Sequence, residues 1–290
     1  MNVFLTGATG YIGSRVLLAL IQAGHSVTAL VRDPSRVRAE TARLVTGDMR
    51  DRDLVRGLAA EADAVIATAA PGDATSAAAD NDFVEAVLAG LRPGATLVRT
   101  GGIWVYGSGD AITEESPLSP PAIVAWREEI DRRALTSPGI RSLLVEPGVV
   151  YGDGAGIPAM VFGGAQLGDP AALQLIGPGT QHWATVHVDD LAELYVATLT
   201  HGSTGDRFLG VGGDSPSVAS LADVASRRLG LDGRVVAEDP ADTVARLGAF
   251  GEALLMDQQA SGEKARQTLD WKPSRPTLLE VFAAGEYDPS

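Results

Sequence analysis

Three glycines at a spacing of three, Gly7, Gly10 and Gly13, stand in the run Thr6-Gly7-Ala8-Thr9-Gly10-Tyr11-Ile12-Gly13 near the first residue of a 290-residue chain. A short apolar segment, Val3 to Leu5, precedes them. After them Ile12, Val16, Leu17, Leu20 and Ile21 fall on one face of a helix predicted over 11–23. Each glycine has a physical use in that setting. Gly7 permits a tight turn, Gly10 lets the backbone approach a pyrophosphate, and Gly13 lets helix and strand pack closely. The free N–H groups and positive dipole end of the helix then face an anion. Strand, glycine loop and helix in that order predict dinucleotide binding. The competing reading of the same residues is a tight turn without a ligand.

The choice of dinucleotide is made at the end of the second predicted strand, Ser26 to Val31, where an acidic side chain would hold a ribose 2′-OH. Here the strand runs into Arg32 and then Asp33. The planar guanidinium of Arg32 suits the 2′-phosphate of NADP, whereas a carboxylate at 33 would repel it. The expectation is NADP(H), with NAD(H) as the second choice.

The spacing Gly-x-x-Gly-x-x-Gly resembles that of the short-chain dehydrogenase/reductase superfamily in its extended and atypical branches. The resemblance runs nearly the whole length. It includes Gly47-Asp48 with Asp51, Val105-Tyr106-Gly107, Pro147-Gly148-Val149-Val150-Tyr151-Gly152 and His187-Val188-Asp189-Asp190-Leu191-Ala192. It continues in Ser261-Gly262-Glu263-Lys264-Ala265 and Trp271-Lys272-Pro273. These motifs are specific for the superfamily and not for one reaction. The resemblance implies that Thr9, Tyr11 and Ile12 hold the cofactor together with the three glycines. It also implies that Asp48 and Met49 flank the adenine, that Ala67, Thr68 and Ala69 run along the dinucleotide, and that Pro147, Val149 and Val150 approach the nicotinamide.

The superfamily's usual chemistry needs a tyrosine proton donor with a lysine four residues later, the lysine lowering a phenol pKa of about 10. This chain has no such pair. Four residues beyond Tyr11, Tyr106, Tyr151 and Tyr195 stand Arg15, Asp110, Ala155 and Leu199, and nothing lies four beyond Tyr287. Both lysines, Lys264 and Lys272, lie far downstream. Where the pair should fall, the chain reads Ile123-Val124-Ala125-Trp126-Arg127, and Gly102 occupies the companion serine position. A standard epimerase or dehydratase is therefore not expected. The candidate catalytic groups left are Thr100, Tyr106 and His182, with Arg127 as a ribose or phosphate anchor or as the surface partner of Asp131 at i, i+4. Trp104, Trp126 and Trp183 could line a flat aromatic pocket.

A substrate could supply its own proton. In a polycyclic aromatic ketone, a phenol beside the carbonyl polarises it through an internal hydrogen bond. Placement alone is worth roughly 7–11 kcal/mol in favourable systems. The pattern is similar to that of atypical ketoreductases of aromatic polyketide (angucyclinone) antibiotic pathways. The first expectation is thus an NAD(P)H-dependent ketoreductase acting on a small aromatic ketone. A nucleotide-sugar enzyme with relocated residues and a non-catalytic NADP-binding sensor are the alternatives.

The elements that must position these residues follow from the apolar pattern. Short apolar runs near 3–5, 26–31, 44–48, 64–68, 95–100 and 140–145 alternate with helical stretches at 11–23, 51–60, 80–91 and 123–135. This predicts an α/β, Rossmann-type doubly wound parallel sheet. Gly and Pro cluster between 152 and 179, so the chain is divided into a dinucleotide-binding domain, 1–150, and a smaller, mostly helical C-terminal substrate lobe, 151–290. A strand over 185–188 and a helix over 191–200, capped by Asp189 or Asp190, return to the first domain.

Composition narrows the partners. With 23 basic against 37 acidic residues the net charge is −14. No nucleic acid and no anionic membrane are expected as partners. The absence of cysteine excludes disulfides and Cys-ligated zinc. The pairs and spacings of His182, His187 and Asp189 match no metal site. No apolar run approaches the roughly 18 residues of a membrane span, and no secretory leader pattern is present. A cytoplasmic location is expected, and the resemblance adds a homodimer.

Overall fold

The computed structural model describes residues 1–37, 39 and 41–289. The strands and helices of the first half are β1 (Asn2–Thr6), α1 (Tyr11–Gln22), β2 (Ser26–Val31), β3 (Arg43–Thr46), α2 (Arg52–Glu61), β4 (Ala64–Ala67), α3 (Ser76–Gly90), β5 (Thr96–Thr100), β6 (Gly109–Ile112), α4 (Arg127–Leu135) and β7 (Arg141–Pro147). The second half contains β8 (Val149–Tyr151), α5 (Ala159–Phe162), β9 (Gln166–Leu167), β10 (Ala172–Gln174), β11 (Thr185–His187), α6 (Val188–His201) and β12 (Arg207–Gly210). It ends with α7 (Val218–Arg228), β13 (Val235–Val236), α8 (Pro240–Leu247), α9 (Ala249–Leu254), β14 (Gln258–Ala260), α10 (Glu263–Leu269) and α11 (Leu278–Ala283).

Seven strands form one parallel sheet in the order β12-β7-β5-β4-β1-β2-β3. Both faces are covered by helices, so the central strands are apolar at nearly every position instead of alternating. The pleat still sorts them. Val3 and Leu5 pack with Val16 and Leu20 of α1 and Leu191 and Leu194 of α6. Phe4, between them, packs with Val55 of α2 and Phe83 and Val87 of α3. The chain order reverses between β1 and β4, which are neighbours. A crevice therefore opens at their carboxyl ends, the general binding position of such sheets. A separate core built on Leu173, Trp183, Leu221, Leu254 and Phe282 underlies the C-terminal lobe.

Two expectations are corrected, those for the start of α4 and for the cap of α6. The strand at 185–187 does not join the main sheet: it pairs with β8 in a two-stranded ribbon, and α6, the helix that follows, supplies the contact with α1. The outermost main-sheet strand is instead β12, which is only four residues long and gives no readable period. Helix α4 begins at Arg127 and not at Ile123, because the N–H groups of Val124 and Ala125 both turn back to the Pro121 carbonyl. The cap of α6 is His187, whose Nδ1 accepts the Asp189 N–H at 3.2 Å. Asp190 instead accepts the N–H groups of Ser274 and Arg275, both at 3.1 Å.

Candidate active site

Gly7, directly after β1, takes φ +80° and closes a turn in which its carbonyl accepts the Gly10 N–H at 2.8 Å. A Cβ there would stand 2.6 Å from Thr68 Oγ1 and 2.8 Å from the Ala69 nitrogen, at the end of β4. A Cβ on Gly13 would run into the Gly7 carbonyl oxygen itself. Both glycines thus let α1 and the loop after β4 close on β1. Gly10 caps α1 without a side chain, and no acidic residue occupies the first turn. The first N–H groups of the helix are left for an anion. Thr68 is held in place by donating to the Thr6 carbonyl at 2.7 Å.

The crevice so formed is lined by Gly7, Thr9, Gly10, Arg32, Asp48, Met49, Thr68 and Ala69 among others. Eight of the residues assigned to the cofactor are brought together there. Arg50, not singled out from sequence, lines it as well. Tyr11 faces an adjoining hollow with Arg15 and Arg36, Ile12, in the first turn of α1, packs on the core, and Gly13 is buried under the loop. Asp33 does not point into the crevice. Its carboxylate accepts the Ser35 N–H at 3.0 Å and the Ser35 hydroxyl at 2.6 Å, capping the short turn Pro34–Arg36. Those bonds hold the carboxyl below its ordinary range.

Beyond Thr68 and Ala69 the crevice continues into a second cavity, whose lining includes Ala67, Asp80, Arg99, Thr100, Trp126 and Arg127. Thr100 is not a free hydroxyl. It donates to the Ala67 carbonyl at 2.7 Å and lies 2.5 Å from the hydroxyl of the wholly buried Tyr195. Thr100 Oγ1 has one proton, so Tyr195 is the donor in that contact. Desolvation pushes the Tyr195 phenol up, away from acid function. Asp131 belongs to a buried cluster with Arg99, at 2.7 and 2.9 Å, and Arg99 also holds Asp80 at 2.8 Å. The surface pairing of Arg127 with Asp131 is therefore wrong. Arg127 Nη1 donates to the carbonyls of Thr100 and Gly101, at 3.0 and 3.3 Å.

Other candidates lie elsewhere. The Tyr106 hydroxyl donates to buried Glu146 at 2.7 Å, and Glu146 pairs with Arg207. Burial, then the Glu146 charge, pushes that phenol up. His182 Nδ1 lies 2.9 Å from Asp257 on the C-terminal lobe. Neither side chain lines the crevice or the cavity beside it. Pro147 and Val149 are buried and Val150 packs against the core, so none of the three is part of either lining. The three tryptophans do not share one pocket. Trp126 lines the second cavity, Trp104 packs edge-on to Phe250, and Trp183 donates to the Leu254 carbonyl in the C-terminal core.

The residues present suit a nicotinamide dinucleotide on three counts. A cradle excludes any Cβ at Gly7 and at Gly13, an uncapped helix start faces it, and Arg32 and Arg50 stand at its far end. Among the described residues, the second cavity holds no tyrosine, lysine or histidine, and no group of His, Cys, Asp and Glu there is set to bind a metal.

Comparison with known proteins agrees with this geometry. The profile described as the NAD dependent epimerase/dehydratase family matches residues 3–210. An uncharacterized protein of Schizosaccharomyces pombe is 29% identical, covering 99% of this chain and 100% of its own. The 3-diazoavenalumate denitrifying reductase of a Streptomyces species is 28% identical over 96% of this chain and 97% of its own. A 4-hydroxy-2-methyl-3-oxo-4-farnesyl-3,4-dihydroquinoline-1-oxide ketoreductase from Stigmatella aurantiaca is 29% identical over 56% of this chain and 54% of its own. Among solved structures, MoeE5 in complex with UDP-glucose and NAD shares the fold, with a TM-score of 0.77 at 22% identity, covering 99% of this chain and 97% of that one. The chain belongs to the NAD dependent epimerase/dehydratase family, with a nicotinamide dinucleotide as its cofactor.

Proposed function

We propose that the protein is an NADPH-dependent reductase of a ketone in an aromatic polyketide, operating without a tyrosine–lysine pair. One observation carries the reading: the cavity beside the dinucleotide crevice is lined by Thr100, Trp126 and Arg127, with no protein acid free to protonate an oxygen. The bound reduced dinucleotide would supply hydride to the carbonyl carbon, the carbonyl π electrons passing to oxygen. That oxygen takes the proton of a neighbouring phenol on the substrate, and the phenolate regains one from water. The protein's part is alignment and exclusion of water. Trp126 offers a flat face, and β5 with the loop after β4 forms the walls.

The preference for NADPH rests on Arg32 and Arg50 at the adenosine end of the crevice and on Asp33 being turned into its own loop. A cationic hydride acceptor that needs no proton, such as an arenediazonium ion, would also suit an acid-free site. The Arg127 cation beside the cavity opposes a cationic acceptor of that kind, so the ketone is favoured. The test is NADPH oxidation with a panel of polycyclic ketones that do or do not carry a phenol beside the carbonyl. Turnover confined to the phenol-bearing members is expected. Equal turnover of both sets, or none of either, would refute the reading.

A further inference from the structure

Arg127 is a cation whose hydrogen-bonding capacity the fold does not fill. Its Nη1 is held by the carbonyls of Thr100 and Gly101, but Nε is buried without a partner among the described residues. No carboxylate of the described residues lies within ion-pair reach of it, since Asp131 and Asp80 are committed to Arg99. The guanidinium lies over the Trp126 ring, 4.9 Å from its centre, and both side chains line the second cavity with Thr100. Burial draws the guanidinium below its ordinary value. Nε is sealed from solvent, so the donor an arriving oxygen would meet is Nη2, for which no hydrogen bond is found among the described residues. A planar fork favours two oxygens side by side, and a ketone flanked by a phenol presents such a pair on a flat ring system.

Resting on the reductase reading above, we infer that Arg127 is a catalytic residue: it donates N–H to the carbonyl oxygen of a flat, phenol-flanked ketone lying on Trp126 and stabilises the negative charge that develops there. An electrostatic donor thereby takes the place of a proton donor. Arg127 is fixed for this by strand β5, whose last carbonyl orients the guanidinium before any ligand arrives.

The experiment compares the wild-type protein with Arg127→Met and Arg127→Lys. Binding of NADPH is measured by calorimetry. Binding of emodin, a flat polycyclic ketone with phenols beside the carbonyl, is measured in the presence of NADP. Turnover of the reducible ketones is followed separately. Arg127→Met is expected to bind NADPH within about twofold of wild type and emodin at least roughly tenfold more weakly. Its kcat should fall roughly a hundredfold, with partial recovery on adding guanidinium ion. Arg127→Lys, which keeps the charge and loses the fork, should bind NADPH normally and emodin with intermediate affinity. If either variant loses NADPH about as strongly as emodin, Arg127 serves the cofactor and the inference is wrong. Unchanged emodin affinity and unchanged kcat would overturn it equally. A wild type that reduces no ketone but whose emodin binding depends on Arg127 would refute the reductase reading and leave the oxygen site standing.

Discussion

At the scale of single residues the glycine loop separates binding from folding. Gly10 has φ −88° and ψ 174°, open to any side chain, and a Cβ there would meet only the Gly7 carbonyl oxygen, at 3.2 Å. Gly10→Val is therefore expected to fold with nearly the wild-type Tm and to lose coenzyme affinity at least roughly a hundredfold, by calorimetry. Gly13→Ala should do the reverse, lowering stability by roughly 1–3 kcal/mol through overpacking against the Gly7 carbonyl. Its denaturant midpoint should show this. Equal stability losses in both variants would contradict this division. Arg32→Ala is expected to weaken NADPH at least roughly tenfold and NADH by less than about twofold, the loss of a charge-assisted contact to the 2′-phosphate. Parallel losses would show that Arg32 does not read the phosphate. All three glycines and Arg32 were legible in the sequence because their types are dictated by local backbone and charge. The constraint on Thr100 was not legible, since its partner Tyr195 lies on α6, far along the chain.

At the scale of elements, the parallel strands and the first helix could be read almost to the residue, because buried parallel strands are continuously apolar. The beginning of α4 could not: Pro120 and Pro121 set up a turn that competes with the helix for Val124 and Ala125. Arg99 in the middle of β5 was an unused signal. A charge in a buried strand requires a partner, and α3 and α4 provide Asp80 and Asp131. These ionic contacts tie both helices to the sheet beneath the second cavity. Asp131→Ala leaves Arg99 with one carboxylate in a site 2% exposed. Loss of stability of roughly 3–5 kcal/mol is expected in urea unfolding. A loss below about 1 kcal/mol would mean that the cluster is solvated and does not link the layers.

At the scale of the whole molecule, the boundary expected near residue 150 does not separate the core over the parallel sheet from the rest of the chain. The parallel sheet ends on β12, drawn from residues 207–210, and the layer over α1 is supplied by Leu191, Leu194, Tyr195 and Leu199 of α6. Ala265, Leu269 and Trp271 close the same core. A fragment ending at residue 150 would lose an outer strand and much of one helical layer. It is expected to show no cooperative thermal unfolding, and a sharp calorimetric transition would count against this account of the core. Such long-range completion is invisible to periodicity, which reports only neighbours in sequence. The second lobe contacts the start of α1 directly: the Tyr11 hydroxyl donates to the Gly152 carbonyl at 2.8 Å.

The turn after β2 bears on how coenzyme preference would be re-engineered. An acidic residue next to Arg32 invites replacement by anyone seeking stronger NADPH selectivity. Yet Asp33 fastens Ser35 and the Pro34–Arg36 turn, so its removal would loosen the very segment that presents the arginine. Asparagine, which discards the charge and keeps an acceptor for the Ser35 amide, is the substitution with which a redesign of this corner should begin.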